Sequence, residues 1–374
     1  MTALFFYGTL RCMPLLEIVL GRSLGPGDLE PATVEGHGVY WVRGRDFPII
    51  VPGVDATAPG LLLRAASAED VARLEYYEGG FDYDLRPVPV RTGAGNAATA
   101  QVFLPRPGTW QAGAPWSYDD WHAAWGRIAL RAAEEAMAWY GRISAAELAA
   151  RFAPMRGRAG AWVAAQDRAG DPARDLASDV EVSAHRRAYA NYLAVEEMDL
   201  RFRRHDGRMS APVTRGALMV GHAAILLPYD PVRDRVLLIE QFRAPLYMAG
   251  DPAPWLWEPV AGMVDPGESP DQTAHREARE EAGLTLARLE RAGGVYTSAG
   301  VSGEFHHLFV AIADLDGADG GGDGLSSEGE DILARTVGFE ELMAGVDQGR
   351  LRNIQLVTLA LWLARHRDRL RAAA

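Results

Sequence analysis

Residues 276–284, REAREEAGL, carry three glutamates and two arginines within nine positions. Glu277 and Glu281 lie four apart, and Glu280 lies three from Glu277, so on a helix Glu277 and Glu281 share a face and Glu280 sits on its neighbouring edge. Like charges at this spacing cost a bare helix a few tenths of a kcal/mol. A divalent cation bridging them removes the conflict, and carboxylate oxygens are hard donors suited to magnesium or manganese. Arg276 is placed to neutralise one carboxylate and hold it. The bland alternative is the solvated face of a surface helix.

The residues before the run decide how it is held. Ser269-Pro270-Asp271-Gln272 reads as a helix start: Ser269 caps, Pro270 takes the first helical position, and Gln272 completes a capping box. Gly283 supplies the stop, so the spacing predicts a helix over 270–282. Upstream, GHAAILLPYDPVRDRVLLIEQFR reads as two buried strands around an Asp-Pro turn. Downstream, GVYTSAGVSGEFHHLFVAIADL adds strand and loop, and the glycine-rich DGADGGGDGLSSEGED precedes two helical stretches. Adjacent residues of a strand point to opposite faces, so His306 and His307 do not form a metal pair and are assigned to structure. Ala318 falls at the third ligand position after Asp314 and Asp316, which excludes an EF-hand calcium loop.

A chain of 374 residues calls for two or more domains. With 48% hydrophobic and 24% charged residues the composition is that of a soluble globular protein. Fifty acids against 38 Lys and Arg give a formal charge of -12, which argues against nucleic acid or anionic lipid as partner and means that an anionic substrate needs local arginines. The single cysteine, Cys12, leaves no intrachain disulfide framework and fits a reducing cytoplasm. The opening MTALFFYGTLR lacks the pattern of a signal peptide, and no run reaches the roughly 18 apolar residues of a membrane helix.

Three regions are expected: 1–110, read as short strands and turns with one Ser67-capped helix ending at Gly79; 111–180, a pair of connector helices beginning at Ser117 and a looser linker; and 181–374, where the strands return.

The run from Gly262 through Glu268, Arg276-Glu277 and Glu280-Glu281 to Gly283-Leu284 resembles the Nudix box with every fixed position filled. Ala278 is a small choice where a bulkier aliphatic is common. Residues of about 190–370 look like the bacterial ADP-ribose (ADP-sugar) pyrophosphatase branch. The resemblance implies an α/β/α sandwich and magnesium-dependent hydrolysis of the diphosphate of ADP-ribose or a related ADP-sugar, with GDP-sugars as the alternative. It puts metal (Mg2+, or Mn2+) on Glu277, Glu281 and the carbonyl of Ala261, with Glu280 and Arg276 in support. It also implies Glu328 as general base and Glu330 as a further ligand. Arg243 matches a diphosphate-contacting arginine, Arg215 is a second candidate, Tyr192 falls where the branch stacks an aromatic on adenine, and Glu304 matches a substrate-loop acid. The branch usually has SPG where this chain has SAG, with Ala299 in place of the proline, which loosens the preference for ADP-ribose. A homodimer is what the branch implies.

FFYGTLR and LEYYEGGFDY resemble the gamma-glutamylcyclotransferase-like (AIG2-like) fold, a small mixed β-barrel. In that family the turn corresponding to Tyr7, Gly8, Thr9 and Leu10 binds a carboxylate-bearing ligand through backbone N–H groups, and Glu78 is the matching acid/base. The expected fold class is therefore α+β in two domains, a barrel and a Nudix sandwich joined by helices. The fusion resembles the tellurite-resistance protein B group, which implies a stress-linked housekeeping role. Two alternatives stand beside nucleotide-sugar hydrolysis: cyclotransferase activity of the amino-terminal domain as the physiological role, or a metabolite-sensing function for it.

Overall fold

A computed structural model describes residues 2–320 and 331–373 and divides into two compact units, Met1–Arg215 and Gly216–Ala374. In the first unit, β1 (Thr2–Phe6) and α1 (Met13–Leu20) precede two long strands, β2 (Leu29–Val42) and β3 (Pro48–Ala66). There follow α2 (Ala68–Glu78), β4 (Tyr83–Thr92), β5 (Ala97–Pro105) and β6 (Ala112–Pro115). Two long helices come next, α3 (Tyr118–Met137) and α4 (Ala145–Gln166), then the short α5 (Leu176–Asp179) and a hairpin of β7 (Val180–Ala190) and β8 (Ala194–Phe202). β9 (Val213–Met219) leads into the second unit.

Strand order β3-β1-β5-β4-β2, with β2 pairing back to β3, closes a five-stranded barrel to which β6 is appended. β1 runs parallel to β5 while the other pairings are antiparallel, so the barrel is mixed. Its interior is apolar, with Phe5, Val34, Ile50, Leu62, Val88 and Val102 all buried. The expectation of short strands is corrected here. Glycines and prolines that read as strand breaks are absorbed by β2 and β3, whose register shifts between Glu35 and His37 around Gly36 at φ 70°. A bulge bends a strand without ending it, so turn residues inside it mark curvature.

Ser67 and Ser144 form capping boxes with Asp70 and Glu147, and Ser117 caps α3. α4 continues through Pro154 to Gln166. It is pinned to α3 by the buried pair Arg158–Glu135.

The second unit contains β10 (His222–Asp230), β11 (Arg235–Phe242), the short α6 (Ala244–Met248), β12 (Trp255–Glu258), β13 (Val260–Met263) and α7 (Pro270–Ala282). It continues with β14 (Arg288–Tyr296), β15 (Phe305–Ile312), β16 (Leu333–Gly338), α8 (Phe339–Asp347) and α9 (Ile354–Ala372). The sheet runs β12-β11-β10-β15-β14, with β13 on β10 and β16 on β11. β10 is buried along its whole length and pairs in parallel with β15, as a strand covered on both faces should be. One face packs Leu226, Ile239 and Phe309 against Ala274 and Ala278 of α7. The other packs Leu227, Leu238 and Val310 against Leu342 of α8 and Leu356 and Leu363 of α9. This is the expected α/β/α layering.

Candidate active site

α7 is built as its sequence dictates. The Ser269 side chain accepts from Gln272 N–H, Gln272 Oε1 accepts from Ser269 N–H at 2.8 Å, and Gly283 closes the helix in the left-handed conformation at φ 63°. Ala274, Ala278 and Ala282 form the stripe against the sheet. Ala278 is fully buried, and its small side chain suits a close approach of helix to sheet. The same inner side buries Glu277 and Glu281, at 8% and 4% exposure.

These carboxylates lie against β13. Glu281 Oε2 accepts from Ala261 N–H at 3.0 Å. A Cβ on Gly262 would fall 1.7 Å from Glu277 Oε1, so the glycine leaves the space that this carboxylate fills. Arg276 gathers the remaining acids. Its Nη1 donates to Glu277 Oε1 at 2.6 Å and Glu280 Oε2 at 2.9 Å, and its Nη2 to Glu268 Oε2 and the Met263 carbonyl, both at 3.1 Å. Burial works against the guanidinium charge, but the surrounding carboxylates outweigh it and raise its pKa. Burial likewise pushes Glu268 up, and hydrogen bonds from Arg276 and Thr273 outweigh that and hold it below the usual carboxylate range.

Arg243 follows β11 and reaches Glu258, with Nη2 at 2.7 Å and Nε at 2.8 Å from the same oxygen. The other oxygen of Glu258 accepts from Asn353, which caps α9. Glu304 sits 3.1 Å from His306 Nε2. The His306 hydrogen bond holds it below its ordinary pKa against the opposing effect of burial, with help from Thr297 and the charge of Arg243. His306 and His307 do face opposite ways: His306 Nδ1 meets Gln355 of α9 at 3.2 Å, and His307 Nε2 meets His222 Nδ1 at 3.2 Å. Tyr192 and Arg215 belong to the first unit. Tyr192 is exposed in the turn between β7 and β8, and Arg215 is exposed with its guanidinium donating to the Thr214 carbonyl. Glu328 and Glu330 lie outside the described residues.

Within the first unit, Tyr7, Gly8, Thr9, Leu10 and Glu78 meet around a cavity of about 180 Å³. Burial pushes the Glu78 carboxyl up to about 7. Burial also raises the Tyr7 and Tyr83 phenols, and the Glu78 charge adds to both. Trp125 of α3 and Phe152 and Arg156 of α4 complete the wall, with Arg156 paired to Asp46.

Residues 220–357 match the family described as NUDIX domain, and residues 4–123 match gamma-glutamyl cyclotransferase, AIG2-like. The ADP-ribose pyrophosphatase of Escherichia coli (strain K12) is 39% identical over 194 residues, covering 52% of this chain and 92% of that protein. The ADP-ribose pyrophosphatase of Haemophilus influenzae is 34% identical over 187 residues, 50% of this chain and 86% of that protein. The GDP-mannose pyrophosphatase of Cronobacter sakazakii is 31% identical over 184 residues, 49% of this chain and 94% of that protein. The chain belongs to the Nudix hydrolases.

An AIG2-like barrel precedes the Nudix domain in this hydrolase. Nudix hydrolases of the ADP-ribose pyrophosphatase kind use a divalent metal, and the α7 face fits one. Glu277 and Glu281 offer hard oxygen donors, and Gly262 clears the ground beside Glu277. Among the described residues, no three His, Cys, Asp or Glu side chains already converge into an ion-sized group; the Arg276 guanidinium occupies the position between Glu277 and Glu280. Sequence reasoning missed Glu258, Asn353 and Gln355, which brace Arg243 and His306, and also Asp46 and Arg156 at the barrel cavity. Asn353 left one readable signal, a cap before the apolar run IQLVTLALWL.

Proposed function

We propose that the Nudix domain hydrolyses the diphosphate of ADP-ribose to AMP and ribose 5-phosphate with magnesium, Mn2+ being able to replace it. The observation that carries this reading is the pair of buried carboxylates, Glu277 and Glu281, packed against Ala261–Gly262 with Arg276 beside them. Those two glutamates and the Ala261 carbonyl would hold the ion. When bound, it neutralises phosphate charge and activates water. Arg276 aligns Glu277 and Glu280 through its Nη1. Arg243, fixed by Glu258, binds the diphosphate with Arg215 as a second cation, and Glu304 contacts the sugar side. Tyr192 stacks on the base. Glu328 and Glu330 keep their roles as base and further ligand on sequence grounds.

The relatives named ADP-ribose pyrophosphatase support this substrate, and the GDP-mannose pyrophosphatase relative makes GDP-sugars the alternative. Assay of ADP-ribose, GDP-mannose, NADH and diadenosine polyphosphates with Mg2+ tests the choice, with Glu277→Gln and Glu281→Gln expected to lose at least about 100-fold in turnover. Unchanged turnover in either variant refutes the site. We take 1–110, 111–180 and 181–374 as the functional divisions and the active species as a cytoplasmic homodimer, which light scattering checks. Among the described residues no helix is long and apolar enough to cross a membrane.

A second reading concerns the barrel. A cavity bearing Glu78, half-neutral near pH 7, beside the Tyr7–Leu10 turn supports acid/base chemistry on gamma-glutamyl compounds. Release of 5-oxoproline, lost in Glu78→Ala, is the result it requires; ligand binding without turnover makes the barrel a sensor.

A further inference from the structure

The barrel cavity is completed by helices that continue beyond residue 123, where the AIG2-like match ends. Trp125 of α3 and Phe152 and Arg156 of α4 line the same space as Glu78 and the Tyr7–Leu10 turn. Asp46, in the turn between β2 and β3, holds the arginine in place. Arg156 Nη1 donates to Asp46 Oδ1 at 2.9 Å, and Nη2 donates to Oδ2. The guanidinium carbon lies 5.6 Å from the centre of the Trp125 ring, close enough for the aromatic face to attract a cation. Phe152 in turn meets Phe81 edge-on, with ring centres 5.1 Å apart. The side chains of Arg156 and Asp46 are 24% and 16% exposed, so the pair is sheltered and still reachable.

Stability alone does not account for a charge pair in a wall that is otherwise aromatic. Ions are costly to desolvate, and well-packed apolar residues of similar volume commonly serve a fold as well or better. The charged side chains lining the cavity are Asp46, Glu78 and Arg156, so Arg156 is its one cation. A guanidinium has five N–H donors in a planar fork. Asp46 takes two of them, and the others meet no acceptor among the described residues. Such a fork, oriented on one side by a carboxylate, is shaped to receive a second carboxylate on another.

We propose that Arg156, oriented by Asp46, is a second carboxylate subsite of the barrel cavity, and that its ligand is a gamma-glutamyl amino acid with a free carboxylate on the residue to be released. This rests on the second reading above, in which the Tyr7–Leu10 turn takes the glutamyl carboxylate. In that reaction the glutamyl α-nitrogen attacks the γ-carbonyl carbon and the C–N bond to the second amino acid breaks. The protons lost by the attacking nitrogen pass through Glu78 to the departing one, which leaves 5-oxoproline and a free amino acid. Arg156 touches neither the bond that forms nor the bond that breaks. It selects the leaving group, favouring amino acids over simple amines.

The test is 5-oxoproline release by the full chain from gamma-glutamyl-alanine and from gamma-glutamyl-ethylamide, which lacks only the second carboxylate. The parent is expected to show a kcat/KM at least about tenfold higher for gamma-glutamyl-alanine, the scale of a hydrogen bond to a charged group. In the paired variant Asp46→Asn/Arg156→Met, which leaves no carboxylate without its partner, that ratio should fall to about one. Arg156→Lys, which keeps the charge and loses the fork, should lie between. General damage to the cavity lowers both rates and does not move the ratio. A parental ratio near one, or a preference that survives in the paired variant, overturns the subsite and leaves the cyclotransferase reading standing. If the paired variant does not fold, Arg156→Lys decides: a reduced ratio supports the subsite, and a parental ratio overturns it. If neither compound releases 5-oxoproline, the cyclotransferase reading fails and calorimetric binding of the same two compounds decides. Tighter binding of gamma-glutamyl-alanine that is lost in the paired variant supports the subsite, and equal binding or none overturns it.

Discussion

Replacing Gly262 by alanine adds one methyl group at the place where the catalytic helix meets the sheet. The new Cβ would lie 1.7 Å from Glu277 Oε1, 2.0 Å from its Cδ and 2.6 Å from its Cγ, whereas real Cβ contacts essentially never fall below 3.0 Å. The carboxylate must therefore move by about 1.3 Å or more, because Gly262 lies on β13, paired to Ala224 of the buried β10. A misplacement of about 1 Å in a reacting constellation costs roughly 100-fold in rate, or about 2.7 kcal/mol of transition-state stabilisation. Gly262→Ala is expected to lower kcat/KM for ADP-ribose by that factor and to raise the Mg2+ concentration needed for half-maximal rate. The control is Gly283→Ala, at φ 63° in the helix C-cap. It strains the backbone by about 1 kcal/mol and leaves the carboxylates where they are. Equal losses in the two variants, or a Gly262→Ala enzyme within about threefold of the parent with unchanged metal dependence, would refute the reasoning.

Glu78 is held at about 7 against an ordinary 4.5 because burial disfavours its charge. Its neutral form thus contributes stability that is fully present below about pH 4.5 and lost as pH rises through 7. Glu78→Gln should match the parent near pH 4.5 and become more stable by up to about 3 kcal/mol at pH 8, read from denaturant titrations across that range. Arg276 offsets three carboxylates at once, so Arg276→Gln should destabilise the protein by about 2 kcal/mol in EDTA. Part of that loss should return on adding Mg2+, measured as a melting shift larger than the parent's, because a cation between the glutamates replaces the missing charge.

The parts legible in the sequence are those whose determinants are local. α7 runs Pro270–Ala282, as a capping serine, a first-turn proline, a box glutamine and a left-handed glycine dictate. The β10–β11 hairpin follows from two apolar runs around a turn. Glu277 and Glu281 share a buried face because helical periodicity requires it. The barrel strands were legible in type but not in length, since a glycine at a bulge and a glycine at a turn look alike in sequence. The long-range partners were not legible. Asn353 reaches Glu258 and Arg156 reaches Asp46 only because the chain returns on itself, and nothing in the spacing announces it. The connector helices proved to form a wall of the barrel cavity for the same reason: an amphipathic stripe declares that it will be covered, not what it will cover.

The parallel pairing of β10 with β15 has a consequence for how the enzyme comes into being. β10 at residues 222–230 and the glutamate helix at 270–282 leave the ribosome well before residues 305–312, which complete the sheet beside β10. Until then the alanine stripe of α7 has an incomplete sheet to rest on, and the closure entropy of that long connection is still to be overcome. The carboxylate cluster is thus assembled late in translation, and a nascent chain arrested before β15 would carry every fixed residue of the Nudix box and still have no active site.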